Sequence, residues 1–200
     1  NNFSYIFTIL CIFFLLNALN LYDGINLQSG INFLIIYSYL LSRDIFPSLI
    51  LAFIIANIIF LYLNFKNKIF LGDNGVFINS FIISYFIIKS YNYNLESALK
   101  CDEILLLFLI PALDLIRLFI SRIINLKNPF IGDRNHIHHL LLKKLENIYV
   151  VNLILILLSG VPLLTYIFAD FNLLVIIFIV IITYFTILLS LKRFTKYDHI

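Results

Sequence analysis

The chain contains long apolar runs with few charged residues, and this pattern limits it to one class of fold. An α-helix needs about 20 mainly apolar residues to cross the hydrocarbon core of a bilayer. Segments of about this length occupy residues 1–22, 24–42, 45–65, 104–124, 147–169 and 171–191, and a shorter charge-free run occupies residues 74–88. We therefore predict an all-α, polytopic integral membrane protein with about seven transmembrane helices.

The composition excludes other classes of protein. Of the 200 residues, 62% are hydrophobic and 12% are charged, whereas about 25% are charged in typical soluble domains. These figures exclude a soluble globular domain, a disordered segment and a coiled coil. The formal net charge is +3, but cations scattered among so many Leu, Ile and Phe residues do not form a basic groove, so we predict no nucleic-acid partner.

Charges in the loops predict the orientation of the helices. Seven alternating helices would place four segments on one side: residues 23–30, 64–75, 122–147 and 192–200. These segments hold ten Lys and Arg residues, whereas the loops on the other side hold only Arg43, Lys89 and Lys100. Because Lys and Arg concentrate in cytoplasmic loops, we expect the basic side to be cytoplasmic.

The chain begins with Asn1-Asn2 and contains no Met. A natural full-length product would begin with Met or show a processing site. We interpret residues 1–200 as a single transmembrane domain that is the C-terminal part of a longer chain.

Three polar motifs lie on the expected cytoplasmic side, and the first begins in the last turns of the first apolar run. Asn17 and Asn20 are three residues apart, on one face of a helix end, and Asp23, Gly24 and Asn26 come next. A polar cap and turn at the membrane interface would explain them. A functional site is the alternative, because Asn side chains in the last turns of a membrane helix cost free energy unless they are paired.

The second motif occupies residues 70–75, which read FLGDNG. A turn between two helices would explain it equally well. However, Asp73 lies near Lys66 and Lys68 at the membrane edge, where a carboxylate could hold a hard divalent cation. Mg²⁺ takes one or two carboxylates together with phosphate oxygens and water, so a site that includes a phosphate substrate needs few protein ligands.

The third motif occupies residues 133–139, which read DRNHIHH and hold three of the four His residues. It could be a solvated loop, or a zinc site, although no Cys or second His cluster completes a tetrahedral ligand set. We favour an anion-binding loop in which Arg134 and the His side chains donate to a phosphate.

Two charged residues lie inside an apolar segment. Asp114 and Arg117 are three residues apart in residues 104–124, a spacing that allows a local ion pair. Charges within a membrane usually face the interior and pair. A structural ion pair is our first interpretation, and support of the cytoplasmic face is the second.

Together the three motifs resemble those of the polyprenyl-phosphate N-acetylhexosamine-1-phosphate transferases, which form glycosyltransferase family 4. The matching residues are Asn17, Asn20, Asp23, Gly24 and Asn26, then Phe70, Gly72, Asp73 and Gly75, then Asp133, Arg134, His136, His138 and His139. Their order and their separation by membrane spans make the resemblance specific, and it extends over essentially the whole chain.

The resemblance implies a reaction and a location. A UDP-N-acetylhexosamine would give its sugar-1-phosphate to undecaprenyl phosphate, releasing UMP and starting a cell-envelope polysaccharide. The enzyme would lie among membrane lipid in the bacterial inner (cytoplasmic) membrane, with its active face towards the cytoplasm, and a homodimer is compatible with the resemblance.

The resemblance also assigns roles to residues in the first two motifs. Asp73 would be the Mg²⁺ ligand, with Mn²⁺ as a possible substitute, and Asp23 would be a second catalytic carboxylate. Phe70 would stack on uracil and Asn26 would bind the edge of the base. Asn17 and Asn20 would bind substrate, Asn20 near the metal and phosphates.

In the third motif, the resemblance implies that Arg134, His136 and His138 bind the diphosphate. His136 and His138 would be catalytic residues. His139 would contribute to substrate binding. The His-x-His-His spacing favours a UDP-N-acetylhexosamine over UDP-MurNAc-pentapeptide, whose transferases carry three consecutive His.

The sequence departs from the family pattern at several positions. It contains no Asp-Asp pair, which in the family lies in an earlier loop, so the chain as given is expected to be inactive. Many bacterial members have Asp and Gly where this chain has Asn26 and Leu27, and Val76 replaces the usual Ser.

Other functions remain open from the sequence. The chain could be a phospho-MurNAc-pentapeptide-type transferase, or an inactive membrane binding or scaffold protein derived from the family. A transporter would also fit the number of spans, but transporters place polar groups near the bilayer midplane rather than at one membrane face.

Overall fold

A computed structural model describes residues 2–93, 96–129, 134–169 and 171–195. The described residues form eight α-helices and confirm the all-α prediction. The helices are α1 (Asn2–Leu21), α2 (Gln28–Ser42), α3 (Pro47–Phe65), α4 (Gly72–Asn92), α5 (Cys101–Ile124), α6 (Ile137–Leu145), α7 (Ile148–Phe168) and α8 (Leu173–Thr195).

Five of these helices are long and apolar enough to cross a membrane, namely α1, α3, α5, α7 and α8. The prediction of a polytopic membrane protein is confirmed, but the count of about seven was too high by this criterion. α2 has only 15 residues, because the polar motif after α1 forms a loop up to residue 27. α4 has 21 residues, but Asn and Ser side chains lower its apolar character.

The Ser side chains that are buried on one face of α4 are hydrogen-bonded. The Ser80 hydroxyl donates to the Val76 carbonyl oxygen at 2.7 Å, and the Ser84 hydroxyl donates to the Ser80 carbonyl oxygen at 2.8 Å. The Tyr37 hydroxyl of α2 donates to Asn79 Oδ1 at 2.8 Å. That α2 and α4 also cross the bilayer stays a prediction.

The chain divides into two compact units, Asn1–Ile104 and Leu105–Ile200. In the first unit, α2 packs against α3 and α4, and α1 packs against α4. The contact between α2 and α3 is close at Gly30, where an added Cβ would lie 2.6 Å from Leu61 Cδ2. The buried Asn57 side chain donates to the Gly30 carbonyl oxygen at 2.8 Å and fixes the same contact.

In the second unit, the short helix α6 packs against α7 and α8, and α7 packs against α8. Ile137 and Leu141 of α6 are buried, whereas Lys143 and Lys144 lie in its last turn. Positive charges there interact favourably with the negative end of the helix dipole. The single domain expected over residues 1–200 stays a prediction.

Candidate functional site

A polar pocket lies in the first unit, where the loop between α1 and α2 meets the loop between α3 and α4. Its volume is about 260 Å³. The lining residues are Asp23, Gly24, Ile25, Asn26, Leu27, Ser29, Gly30, Phe60, Asn64, Phe70, Leu71, Gly72 and Asp73. The fold therefore brings the first and second sequence motifs together, although about 50 residues separate Asp23 from Asp73.

The Asn64 side chain joins the two loops of the pocket. Its Oδ1 accepts a hydrogen bond from the Leu27 backbone N–H at 2.7 Å, and its Nδ2 donates to the Ile69 carbonyl oxygen at 2.7 Å. Asn64 is 3% exposed, and a buried amide with both functions bonded holds its partners in place. A second link runs between the loops, where Asn26 Nδ2 donates to Asn67 Oδ1.

Two residues in the pocket loops have a left-handed backbone. Leu27, which precedes α2, has φ 73°, and Gly72, the first residue of α4, has φ +64°. Glycine adopts this conformation readily, whereas a residue with a Cβ does so at a cost. Leu27 therefore occupies a backbone position that suits Gly better than Leu.

The two carboxylates of the pocket differ in exposure. Asp73 is exposed in the first turn of α4, where a negative charge interacts favourably with the helix N-terminus. Asp23 is partly buried. Burial raises the pKa of the Asp23 carboxyl above its usual range, a hydrogen bond with Ser29 lowers it, and the charge of Asp73 raises it. The two carboxylates therefore repel each other, and a bound cation would relieve that repulsion.

The acidic pair does not form a complete metal site from protein groups. Among the described residues, no group of three or more His, Cys, Asp or Glu side chains is arranged to hold a metal ion. The carboxyl oxygens of Asp23 and Asp73 suit a hard divalent cation that takes its remaining ligands from substrate phosphate and water. The donor set thus fits Mg²⁺ bound together with a phosphate compound.

The other residues predicted for the first two motifs occupy different positions. Phe70 lines the pocket and is 83% exposed, so its ring face is open to a planar ligand. Asn26 also lines the pocket. Asn17 and Asn20 do not line it: Asn17 Nδ2 donates to the Phe13 carbonyl oxygen of its own helix at 2.7 Å, and Asn20 Oδ1 is buried with no hydrogen-bond partner among the described residues.

A buried charged cluster in the second unit is centred on Asp114 of α5. Arg117 and the Tyr184 hydroxyl both donate to Asp114 Oδ1 at 2.7 Å. His136 Nδ1 lies 2.8 Å from Asp114 Oδ2, and the Ile137 backbone N–H lies 3.2 Å from Oδ1. The predicted ion pair between Asp114 and Arg117 is therefore present, and the same carboxylate also holds the His motif.

The His side chains of the third motif lie close together but differ in burial. The rings of His136 and His138 are parallel within 6°, with centroids 5.5 Å apart, and the His138 and His139 centroids are 4.2 Å apart. His136 is 4% exposed and His138 is fully buried, whereas His139 is partly exposed and Arg134 is exposed. Asp133 lies outside the described residues.

Burial also decides the charge of His138. Burial and the neighbouring rings of His139 and His136 lower the pKa of His138 to about 3, although Asp114 acts in the opposite direction. His138 is therefore neutral at pH 7. A neutral ring still has an N–H that can donate, but it adds no positive charge for binding a phosphate.

Two residues important to this geometry were missed from the sequence. Asn64 lies in an apolar helix and its role depends on two loops, while Tyr184 lies 70 residues after Asp114 in an apolar segment. An Asn within a membrane helix is costly unless paired, which is the one signal that could have drawn attention to Asn64. Nothing in the local sequence around Tyr184 distinguishes it from a tyrosine at the membrane interface.

Comparison with known proteins finds a family similarity in the part of the chain that contains the pocket. Residues 1–91 match the family described as Glycosyl transferase family 4, which confirms the family assignment for this part of the chain. The match contains both motifs of the pocket and supports, in general terms, a membrane sugar-phosphate transferase. No curated protein and no solved structure matches the chain.

Proposed function

From the glycosyltransferase family 4 match of residues 1–91, we propose that this chain carries the transfer site of an enzyme that moves N-acetylhexosamine-1-phosphate from a UDP-sugar to undecaprenyl phosphate. UMP would leave, and the lipid product would initiate a cell-envelope polysaccharide. The observation that supports this best is the pocket itself, in which two carboxylates and an exposed aromatic ring face one cavity.

The reaction brings two anions together, because a lipid phosphate must approach the diphosphate of the donor. Asp23 and Asp73 would hold the Mg²⁺, or Mn²⁺, that neutralises this diphosphate when bound. The protein contributes the position of both carboxylates, which the Asn64 bridge fixes through the two loops. A pre-positioned charge at the reacting centre lowers the barrier without reorganisation during the reaction.

The nucleotide would bind at the Phe70 edge of the pocket. Stacking of a base on an aromatic ring contributes about 1–3 kcal/mol, and the Phe70 ring is exposed enough to accept uracil. Asn26, which lines the same pocket, would bind the edge of the base. Asn17 and Asn20 lie on α1 outside the pocket lining, so we propose that they support the loop rather than contact the nucleotide.

The third motif, which lies in the second unit of the chain, would bind a phosphate group. Arg134 is exposed and charged, and it can form two parallel hydrogen bonds to a phosphate. His136 would donate to the same group, with His138 and His139 packed beside it. We propose that the enzyme is a multi-pass protein of the bacterial cytoplasmic membrane, active on the cytoplasmic side, and that homodimer formation is compatible with this role.

The test is UMP release from membranes that contain the protein expressed from its own gene. A panel of UDP-sugars is supplied with and without undecaprenyl phosphate and Mg²⁺. We expect release that needs both the lipid phosphate and Mg²⁺, and that Asp73→Asn abolishes. Asp44→Asn is the matched control, because Asp44 is also an exposed acidic residue in a connection between helices.

Three other results would change the proposal. Release only with UDP-MurNAc-pentapeptide would place the protein in the pentapeptide branch. No release with any donor from well-folded protein would favour a binding or scaffold role. Release that Asp73→Asn leaves intact would remove the pocket from the chemistry.

A further inference from the structure

We propose that Asp114 is a positioning residue that fixes the ring of His136 so that its Nε2 atom meets a phosphate group of the substrate. The resemblance implied a role for the His motif, but it assigned none to Asp114. This inference rests on the proposed function only for the identity of the phosphate compound.

The contacts of Asp114 show why it can act in this way. The carboxylate is 2% exposed and accepts from Arg117, Tyr184, His136 and the Ile137 backbone N–H. Two of these donors, His136 and Ile137, belong to the start of α6. Arg117 also donates to the Asn135 carbonyl oxygen at 2.7 Å. Asp114 and Arg117 together therefore hold three consecutive residues of the His motif against α5.

The Asp114 contact determines which nitrogen of His136 is left for a ligand. A carboxylate can only accept a hydrogen bond, so His136 Nδ1 carries a proton. Nε2 is then an acceptor in the neutral ring and becomes a donor only when the ring is protonated. A phosphate accepts hydrogen bonds, so it selects the ring form in which Nε2 carries a proton.

The described groups around His136 come from three helices. Arg117 on α5 and Tyr184 on α8 are both bonded to Asp114. His138 and His139 on α6 contact the His136 ring, and burial keeps His138 neutral. His136 Nδ1 itself lies 2.8 Å from the buried Asp114 carboxylate, so this carboxylate is placed to orient the His136 ring.

The first test uses nuclear magnetic resonance of the full chain in lipid nanodiscs with ¹⁵N-labelled histidine. His136→Ala assigns the His136 signals. We expect His136 Nδ1 to carry a proton both without and with added phosphate compound. Inorganic pyrophosphate, or undecaprenyl phosphate in the nanodisc, should shift the Nε2 signal towards that of a protonated nitrogen. The two probes separate the donor diphosphate from the lipid phosphate. A neutral ring protonated on Nε2, or no shift with either probe, would overturn the proposal.

The second test compares pyrophosphate affinity between variants. Asp114→Asn keeps the shape of the side chain but removes its charge, and we expect it to weaken binding by about 10-fold or more, as for the outer partners of a ligating His.

Two controls separate positioning from stability. Tyr184→Phe removes one donor to Asp114 but keeps the carboxylate and His136, so affinity should change by less than about threefold. In a His136→Ala background, Asp114→Asn should have no further effect. If folded Asp114→Asn binds pyrophosphate with wild-type affinity, Asp114 is only structural. If Asp114→Asn does not fold, the histidine spectra of the wild type decide the question.

Pyrophosphate binding does not depend on turnover, so the two proposals can fail separately. If the protein binds pyrophosphate through His136 but releases no UMP, the role of Asp114 is supported and the transferase proposal is refuted. UMP release at an unchanged rate in Asp114→Asn would support the transferase and contradict the role of Asp114.

Discussion

Asp73 and Asp114 are both acidic residues of helices, but the protein surrounds them in opposite ways. Asp114 is buried and accepts hydrogen bonds from three side chains and one backbone N–H. Asp73 is exposed on a pocket and has one acidic neighbour, Asp23. A carboxylate whose lone pairs are used by protein donors fixes structure, whereas one facing another carboxylate across a cavity is available to a cation.

Removal of the Asp114 carboxylate should have the largest effect on stability. Asp114→Ala leaves Arg117 buried without its partner, and breaking a buried ion pair costs about 3–5 kcal/mol. Asp73→Ala should cost less than about 1 kcal/mol, the size of a helix-terminus interaction. Chemical unfolding in detergent measures both. Equal losses for the two variants would remove the distinction between the two sites.

Acid should destabilise the second unit through His138. The folded protein lowers the pKa of His138 to about 3, whereas the unfolded chain has the ordinary value of about 6.5. Below pH 6.5 the unfolded chain takes up a proton that the folded state does not, so stability falls as pH decreases towards 3. The loss should reach about 2 kcal/mol at pH 5.

The control for this prediction is His138→Gln, which removes the titrating ring. Its unfolding free energy should depend less on pH between 6.5 and 5 than that of the wild type. An identical pH dependence would mean that another group is responsible.

Removal of the Phe70 ring tests whether the pocket of the first unit binds a nucleotide. Phe70→Ala should raise KM for the UDP-sugar about 10-fold, the loss expected for one stacked base, with a smaller change in kcat. Because Phe70 is 83% exposed, stability should hardly change. Steady-state kinetics with varied UDP-sugar measure the effect, and an unchanged KM would exclude Phe70 from the base site.

A smaller effect is expected at the backbone of the same pocket. Leu27→Gly should stabilise the protein by up to about 1 kcal/mol, because Leu27 has φ 73° and a Cβ is unfavourable there. Leu27→Ala, which keeps the Cβ, is the matched control and should not be stabilising. If Leu27→Gly is less stable than Leu27→Ala, Leu27 does not have a left-handed backbone in the folded protein.

The sequence predicted the parts of the fold that depend on neighbouring residues. Apolar runs located α1, α3, α5, α7 and α8, and a spacing of three residues predicted the ion pair between Asp114 and Arg117. α2 was predicted to begin too early, because an uncharged run does not show that Asp23 to Leu27 form a loop.

Long-range contacts could not be predicted in the same way. The motifs named Asp23 and Asp73 as candidates, but only the fold shows that one pocket contains both. The bridge by Asn64 and the bond from Tyr184 to Asp114 join residues that are distant in the chain. Hydrophobic periodicity carries no information on such pairs, since they depend on how the helices pack.

The most direct test of the difference between Asp73 and Asp114 is the binding of Mn²⁺ alone. It is measured by electron paramagnetic resonance on the protein in nanodiscs. We expect Asp73→Asn to weaken binding at least about 10-fold, and lower pH to weaken it as Asp23 takes up a proton. Asp114→Asn and Asp44→Asn should leave it within about threefold of the wild type. Loss of Mn²⁺ binding in Asp114→Asn with full binding in Asp73→Asn would contradict the roles assigned to the two carboxylates.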